Sequence, residues 1–247
     1  SAAGADSDEV HGVNSLDQLA VVEGQMRRRI NVDWMRAGVW MQDPDRVYLD
    51  ASVELEAGAR LLPAVCLQGD PEVKAGATVG PDVFAVDSAV GSGARVWYSV
   101  LRGAAVGDGA EVGPFASLRP GTKLASGSKV GTFVETKNTV VGAASKIPHL
   151  SYLGDATIGE ESNVGAGSIT CTYDGYHKHP TVIGDRVRIG SDTMLVAPVE
   201  LGDDSWTGAG SVISRDVPPG SLGVERSQQR EVPGYAAKRK RQAAEDD

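Results

Sequence analysis

Along most of this chain neither common apolar period holds. From about Val47 onward aliphatic residues recur every six positions, most cleanly as Val106, Val112, Leu118, Leu124 and Val130 and again as Ile183, Ile189, Leu195, Leu201, Thr207 and Ile213. A helix repeats every 3.6 residues and a half-buried strand every two, so neither generates such a series. Aliphatic–glycine pairs mark the same stretch, among them Val79-Gly80, Val90-Gly91, Val106-Gly107, Val130-Gly131, Ile158-Gly159 and Ile189-Gly190. One inward aliphatic per six residues predicts the hexapeptide repeats of an all-β, parallel β-helix. Three units close one triangular coil, and at ~4.8 Å per coil residues 47 to 213 predict roughly nine coils in a prism some 40 Å tall. Each coil buries its neighbour's aliphatics, so no globular centre is required.

The period breaks at two places, which is where a solenoid has room for function. In CTYDGYHKHPTV, residues 171 to 182, 13 residues separate Thr170 from Ile183, one more than two hexapeptides need, which predicts a projecting loop. Between Leu153 and Ile158 the spacing is one residue short. Ahead of the repeats a different pattern holds. Ser15 opens a capping-box pattern with Gln18, and Leu19, Val22, Met26, Ile30, Trp34 and Ala37 follow at helical spacing. This predicts one amphipathic helix that must dock on another surface. The resulting plan is a linker over residues 1–14, a helical arm over 15–46, the β-helix over 47–222 and a basic tail over 223–247.

Composition sharpens this picture. The chain has 247 residues, and 31 glycines against 5% aromatics suit a fold of many turns with little interior space. Cys66 and Cys171 are too few for a disulfide framework, which suits a reducing compartment. No apolar run approaches the roughly 20 residues of a membrane span and no leader pattern precedes residue 15, so a soluble cytoplasmic protein without a membrane partner is expected. A net charge of −9 argues against general nucleic-acid affinity. Two basic islands interrupt that acidity: Arg119, Lys123, Lys129, Lys137 and Lys146 against Glu135 alone, and six Lys or Arg between residues 226 and 241 beside Glu225 and Glu231. They read either as solvated faces or as binding sites for two phosphate-bearing groups.

The chain has four histidines, and His149 lies in KIPHLSYLGD at the edge of the first basic island. Imidazole suits proton transfer near neutrality. The repeats, together with RPG (119–121), FVETKN (133–138), PHLSYLGDATIG (148–159), NVGAGSITC (163–171), YDGYHK (173–178) and GSDTMLVAPV (190–199), closely resemble the acetyltransferase domain of bifunctional N-acetylglucosamine-1-phosphate uridyltransferase/glucosamine-1-phosphate N-acetyltransferase. The resemblance covers essentially residues 8 to 241.

That resemblance implies a left-handed coil sense, a homotrimer with sites between chains, and acetyl transfer from acetyl-CoA to the amine of glucosamine 1-phosphate. It implies that His149 is the general base and that Arg119, Lys137, Tyr152, Asn163 and Lys178 bind the acceptor, with Arg119 offering a planar fork to phosphate. It places Ala166, Tyr173, Ser191, Ala209 and Arg226 against the coenzyme, with Tyr235 where some relatives set an aromatic on the adenine. Glu135 is either an orienter of the imidazole, a sugar ligand, or a plain salt-bridge partner of Arg119 or Lys137. DSDEVHGVN resembles the end of the uridyltransferase domain, whose matching asparagine helps hold magnesium. Asn14 is therefore expected to be an orphan, and uridyl transfer to be missing from this chain. Thr172 stands where the family usually has asparagine.

Other readings use the same coils. An acyltransferase acting on another acceptor would not need Arg119, Lys137, Tyr152 and Lys178 together. A γ-class carbonic anhydrase needs three zinc histidines on adjacent coils, whereas His177 and His179 share one loop and His11 is in the leader. A trimeric structural protein would bind no acetyl-CoA.

Overall fold

The computed structural model describes residues 12–245. Helix α1 (Leu16–Arg36) leads into a parallel β-helix that runs from Trp40–Met41 to Leu222–Gly223, and a second helix, α2 (Tyr235–Glu245), follows it. Eleven short strands stack in parallel on one face, here face I. Their inward residues form one column, Met41, Leu61, Val79, Val96, Val112, Val130 and Ile147, through successive Cα pairings. This gives about ten turns rather than the expected nine, because coils form ahead of Val47 and beyond Ile213. At ~4.8 Å per rung the prism is about 48 Å tall.

The six-residue spacing has a direct meaning in space. Val106 lies on face III, Val112 on face I, Leu118 on face II, Leu124 on face III again and Val130 on face I. Each step of six crosses one edge of the prism. All five are buried. A fully buried aliphatic of this kind contributes about 1.5–3 kcal/mol relative to exposure.

The edges are built from left-handed turns. Gly93, Gly109 and Gly127 have φ of +66°, +64° and +63° at one edge, and Gly109 and Gly127 each donate a backbone bond to the edge below. Ala144 and Glu161 continue that edge at +57° and +54°, so the glycine excess eases the turns without being obligatory in each one.

Helix α1 differs in detail from its expected form. Ser15 makes no side-chain cap to the helix; its hydroxyl engages Asp17, and Gln18 accepts from the Asn14 N–H at 2.8 Å instead. The helix docks through its C-terminal half, where Ile30, Trp34 and Met35 pack on the core, while Leu19 and Met26 stay exposed. Asn31 is the buried residue that apolar periodicity passes over. Its amide donates to the carbonyls of Pro44 (2.7 Å) and Val47 (2.9 Å), tying the helix to the first coil. Arg27 lies over the Tyr48 ring, 4.7 Å from its centroid. No described helix is long and apolar enough to cross a membrane.

Candidate active site

Two rungs depart from the general pattern, and Glu135, Lys137 and Tyr152 lie on them. Elsewhere the chain turns at each prism edge, but Glu135–Val141 and Tyr152–Ile158 are seven-residue strands that bend from face II to face III without breaking. They pair along their length, Glu135 with Tyr152 through Val141 with Ile158. The short spacing between Leu153 and Ile158 is this bend, and Thr136 to Val141 repeats it one rung below.

Buried threonines replace aliphatics at these bends. Thr170 Oγ1 accepts from the Gly154 N–H at 2.8 Å and lies 3.0 Å from the Gly154 carbonyl, while Thr139 Oγ1 reaches the carbonyls of Leu153 and Lys137 at 2.8 and 2.9 Å. Backbone groups left over by the bend are thereby satisfied inside the prism, which holds the outer surface of these rungs in place.

On that outer surface Arg119, Glu135, Lys137 and Tyr152 share face II. Arg119 Nη1 donates to Glu135 Oε1 at 2.8 Å, and this partner raises the guanidinium pKa. Of the three roles open to Glu135, the ion pair with Arg119 is formed here, and its carboxylate makes no hydrogen bond to the His149 ring. The Lys137 ammonium faces that of Lys178, which is brought over from the projecting loop. Close donor-to-donor contact with Lys178 and the repulsion of its charge lower the Lys137 pKa, with lesser contributions from burial and Arg119 and a small opposing attraction from Asp155. Asn138, at the edge beside Lys137, donates to Asp155 Oδ1 at 2.8 Å, while Asp155 Oδ2 is buried and makes no hydrogen bond. A cavity of about 350 Å³ opens there under Lys178 and His179.

The loop itself is tightly organised around Asp174. Its carboxylate accepts from the backbone N–H groups of Tyr176 (2.7 Å) and His177 (2.6 Å) and lies 2.7 Å from His179 Nε2. These bonds, the His177 amide foremost, depress its pKa to about 2. Tyr173 pairs with Lys178 across the loop and is itself exposed. Thr172 is buried, and its carbonyl accepts from the His179 N–H at 2.8 Å.

His149 closes the face I strand Lys146–His149, opposite Thr132, and is exposed. Its ring makes no hydrogen bond to other described residues, and Ser151 Oγ fixes its backbone by donating to the His149 carbonyl at 2.8 Å. Face I pairs Lys146 with Asn163, Asn163 with Arg188 and Arg188 with Trp206. Three residues further along each strand, the same register stacks His149, Ala166, Ser191 and Ala209 in one column at the edge. Backbone bonds from Asp192 to Ala166 and from Gly210 to Ser191 lock that stack. Arg226 continues it, donating Nη1 to the Ala209 carbonyl at 3.0 Å. Ala166, Ser191 and Ala209 among the expected coenzyme contacts thus form a line of small side chains leading to the imidazole, while Tyr173 stays on the projecting loop.

Not every expected residue joins one cluster. Asn163 lies on face I, around the prism edge from Arg119, Lys137 and Tyr152. Tyr235 begins α2 and is exposed. Asn14 is exposed, and no three metal-ligating side chains gather among the described residues. His11, with most of the leader segment, lies outside the described residues.

The fold and repeats define a hexapeptide-repeat protein of the left-handed β-helix class. A family described as "Hexapeptide repeat of succinyl-transferase" matches residues 180–215. More particularly, the chain is homologous to bifunctional GlmU proteins. It is 49% identical over 230 residues to "Bifunctional protein GlmU" of Kineococcus radiotolerans, covering 93% of this chain and 47% of that protein. The same-named protein of Streptomyces avermitilis is 48% identical over 96% of this chain and 49% of its own length. The chain spans about half the length of the curated relatives it matches. Among solved structures, a UDP-N-acetylglucosamine O-acyltransferase (LpxA) from Moraxella catarrhalis aligns with a TM-score of 0.48 and 13% identity, covering 81% of this chain and 77% of that one.

Proposed function

We propose that this chain transfers an acetyl group from acetyl-CoA to the amine of glucosamine 1-phosphate, giving N-acetylglucosamine 1-phosphate. The observation that carries this reading is the column of Ala166, Ser191 and Ala209 that ends at the exposed imidazole of His149. A thin acyl-carrier arm fits along small residues, and its thioester then meets a base. With the acceptor amine neutral, its nitrogen attacks the thioester carbonyl carbon and His149 takes the proton that the nitrogen sheds. The tetrahedral adduct collapses, the carbon–sulfur bond breaks, and the imidazolium returns its proton to the departing thiolate.

The acceptor side rests on Lys137 and Lys178. Two ammonium groups held close together suit a phosphate dianion, and Arg119 adds a planar donor nearby. Asn163, on the other face, is assigned to the sugar by homology. Groups on two faces that diverge around a prism edge call for a second copy of the chain to close one small site, which supports a homotrimer with shared sites. The product would enter UDP-N-acetylglucosamine and peptidoglycan synthesis in a bacterial cytoplasm, as the GlmU relatedness suggests. Magnesium has no assigned part in this transfer. In a thiol-release assay, free coenzyme A appears only when glucosamine 1-phosphate is supplied. Equal release with serine would point to another acceptor.

A further inference from the structure

The column that carries Asn163 holds a second feature that no expected role uses. On face I, Lys129, Lys146, Asn163 and Arg188 stack rung on rung. Lower in this column the cations are paired: Glu111 lies 3.1 Å from Lys129 and 3.9 Å from Arg95. Lys146 has no ion-pair partner among the described residues. Arg188 is held by backbone oxygens, donating Nη1 to the carbonyls of Glu161 (2.5 Å) and Val187 (3.3 Å), and has no carboxylate within salt-bridge distance among the described residues. Between them an open cavity of about 570 Å³ is lined by Gly127, Ala144, Lys146, Glu161, Asn163 and Arg188. Glu161 is the one carboxylate in that lining, and Asp204 lies near enough to Arg188 to feel its charge.

We propose that Lys146 and Arg188, flanking Asn163, form an anion subsite that holds a phosphate group of a substrate bound beside His149. The argument is geometric and electrostatic. Two rungs separate the cations, about 10 Å between their strands, with an amide donor midway. His149 lies three residues along the strand from Lys146, also about 10 Å. A phosphate ester seated here therefore keeps its reactive end within reach of the imidazole. Arg188 is pre-set, because its backbone contacts fix the fork while leaving further N–H donors for a ligand. A lysine with no counter-ion supplies the second charge, and the pair outweighs Glu161. Sugar phosphate and coenzyme both carry such a group, and the subsite chemistry is common to them.

This inference rests on the acetyl-transfer reading, and the test separates the two. In the full chain, Arg188→Gln and Lys146→Gln are each expected to raise KM roughly tenfold for one of the two substrates, the effect of losing a charged hydrogen bond. The rise is expected to vanish when that substrate lacks its phosphate: 3′-dephospho-acetyl-CoA identifies the donor, glucosamine the acceptor. KM values within twofold of the parent for both substrates in both variants would overturn the subsite. So would altered sedimentation with unchanged KM, which would make this face a subunit contact. If the parent shows no acetyl transfer at all, the functional reading fails while the subsite stays testable. Inorganic pyrophosphate should then protect Lys146 from an amine-modifying reagent, read by peptide mass spectrometry, and Arg188→Gln should abolish the protection. Equal labelling with and without pyrophosphate would overturn it.

Discussion

Lys137 and Lys178 meet ammonium to ammonium, one from a strand of the prism and one from the loop that projects over it, and the contact lowers the pKa of Lys137. Like charges at such range repel, so the folded chain holds them together through the rigid rung below and the Asp174-centred loop above. A bound phosphate relieves that repulsion.

The first prediction follows from the sign of this shift. A lysine whose folded pKa is depressed gives up its proton at lower pH than an ordinary lysine, and the site then loses one of its charges. KM for glucosamine 1-phosphate should therefore rise as pH climbs through that depressed value. Lys178→Gln should weaken binding roughly tenfold near neutrality and move the alkaline rise upward, because Lys137 returns toward its usual range. A pH series of KM for both proteins checks this.

Arg119 and Glu135 should be coupled only weakly. Both side chains are more than 40% exposed, so their 2.8 Å ion pair is screened by water. A double-mutant cycle on thermal stability with Arg119→Ala and Glu135→Ala should give a coupling under about 1 kcal/mol, while Arg119→Ala alone raises the acceptor KM. A coupling of several kcal/mol would contradict this picture.

Much of the architecture was legible in the sequence because a six-residue period has no common competitor. The register Val106, Val112, Leu118 maps one to one onto faces III, I and II, and the projecting loop lies where the spacing lengthened. The helix was legible as apolar periodicity, but its anchor was not: Asn31 is polar and local, and only the folded chain shows the two carbonyls it satisfies. The seven-residue strands were half legible. Leu153 to Ile158 was visibly short, yet a missing residue does not say whether a chain loops or bends. The answer lay in threonines at inward positions, Thr139 and Thr170, whose hydroxyls make the bend possible. Candidate residues were found by resemblance, and their division between two faces was hidden because residue spacing cannot say which edge a strand rounds.

Those threonines give a stability prediction. Thr170→Val keeps the shape but strands the Gly154 N–H and carbonyl inside the prism, which costs about 1–3 kcal/mol. Leu195→Ala, at a fully buried position, should cost about 2–5 kcal/mol. Chemical denaturation measures both. Only the threonine variant should also lower acetyl transfer, since its hydroxyl holds Gly154 on the neighbouring strand that carries Tyr152.

The loop has its own pH limit. Asp174 has a folded pKa of about 2 against an ordinary 3.8, so its stabilisation of the loop is complete above about pH 4 and lost as pH falls toward 2. Backbone amides of Tyr176 and His177 should lose exchange protection across that window. Asp174→Ala should remove it at every pH and raise the acceptor KM by displacing Lys178, with the melting temperature of the prism unchanged.

A close backbone approach supports His149 itself. A Cβ added at Gly131 would overlap the Pro148 carbonyl one rung above, so Gly131→Ala must push apart the rungs that set the imidazole. Reduced kcat with little change in KM is the expected result.

The most direct measurement is the rate of acetyl transfer by a His149→Ala chain at saturating acetyl-CoA and glucosamine 1-phosphate, with folding verified by circular dichroism. Removing a general base should lower kcat by about 10²- to 10⁴-fold and leave both KM values close to the parent's. A variant that retains kcat within threefold of the parent would show that another group accepts the proton.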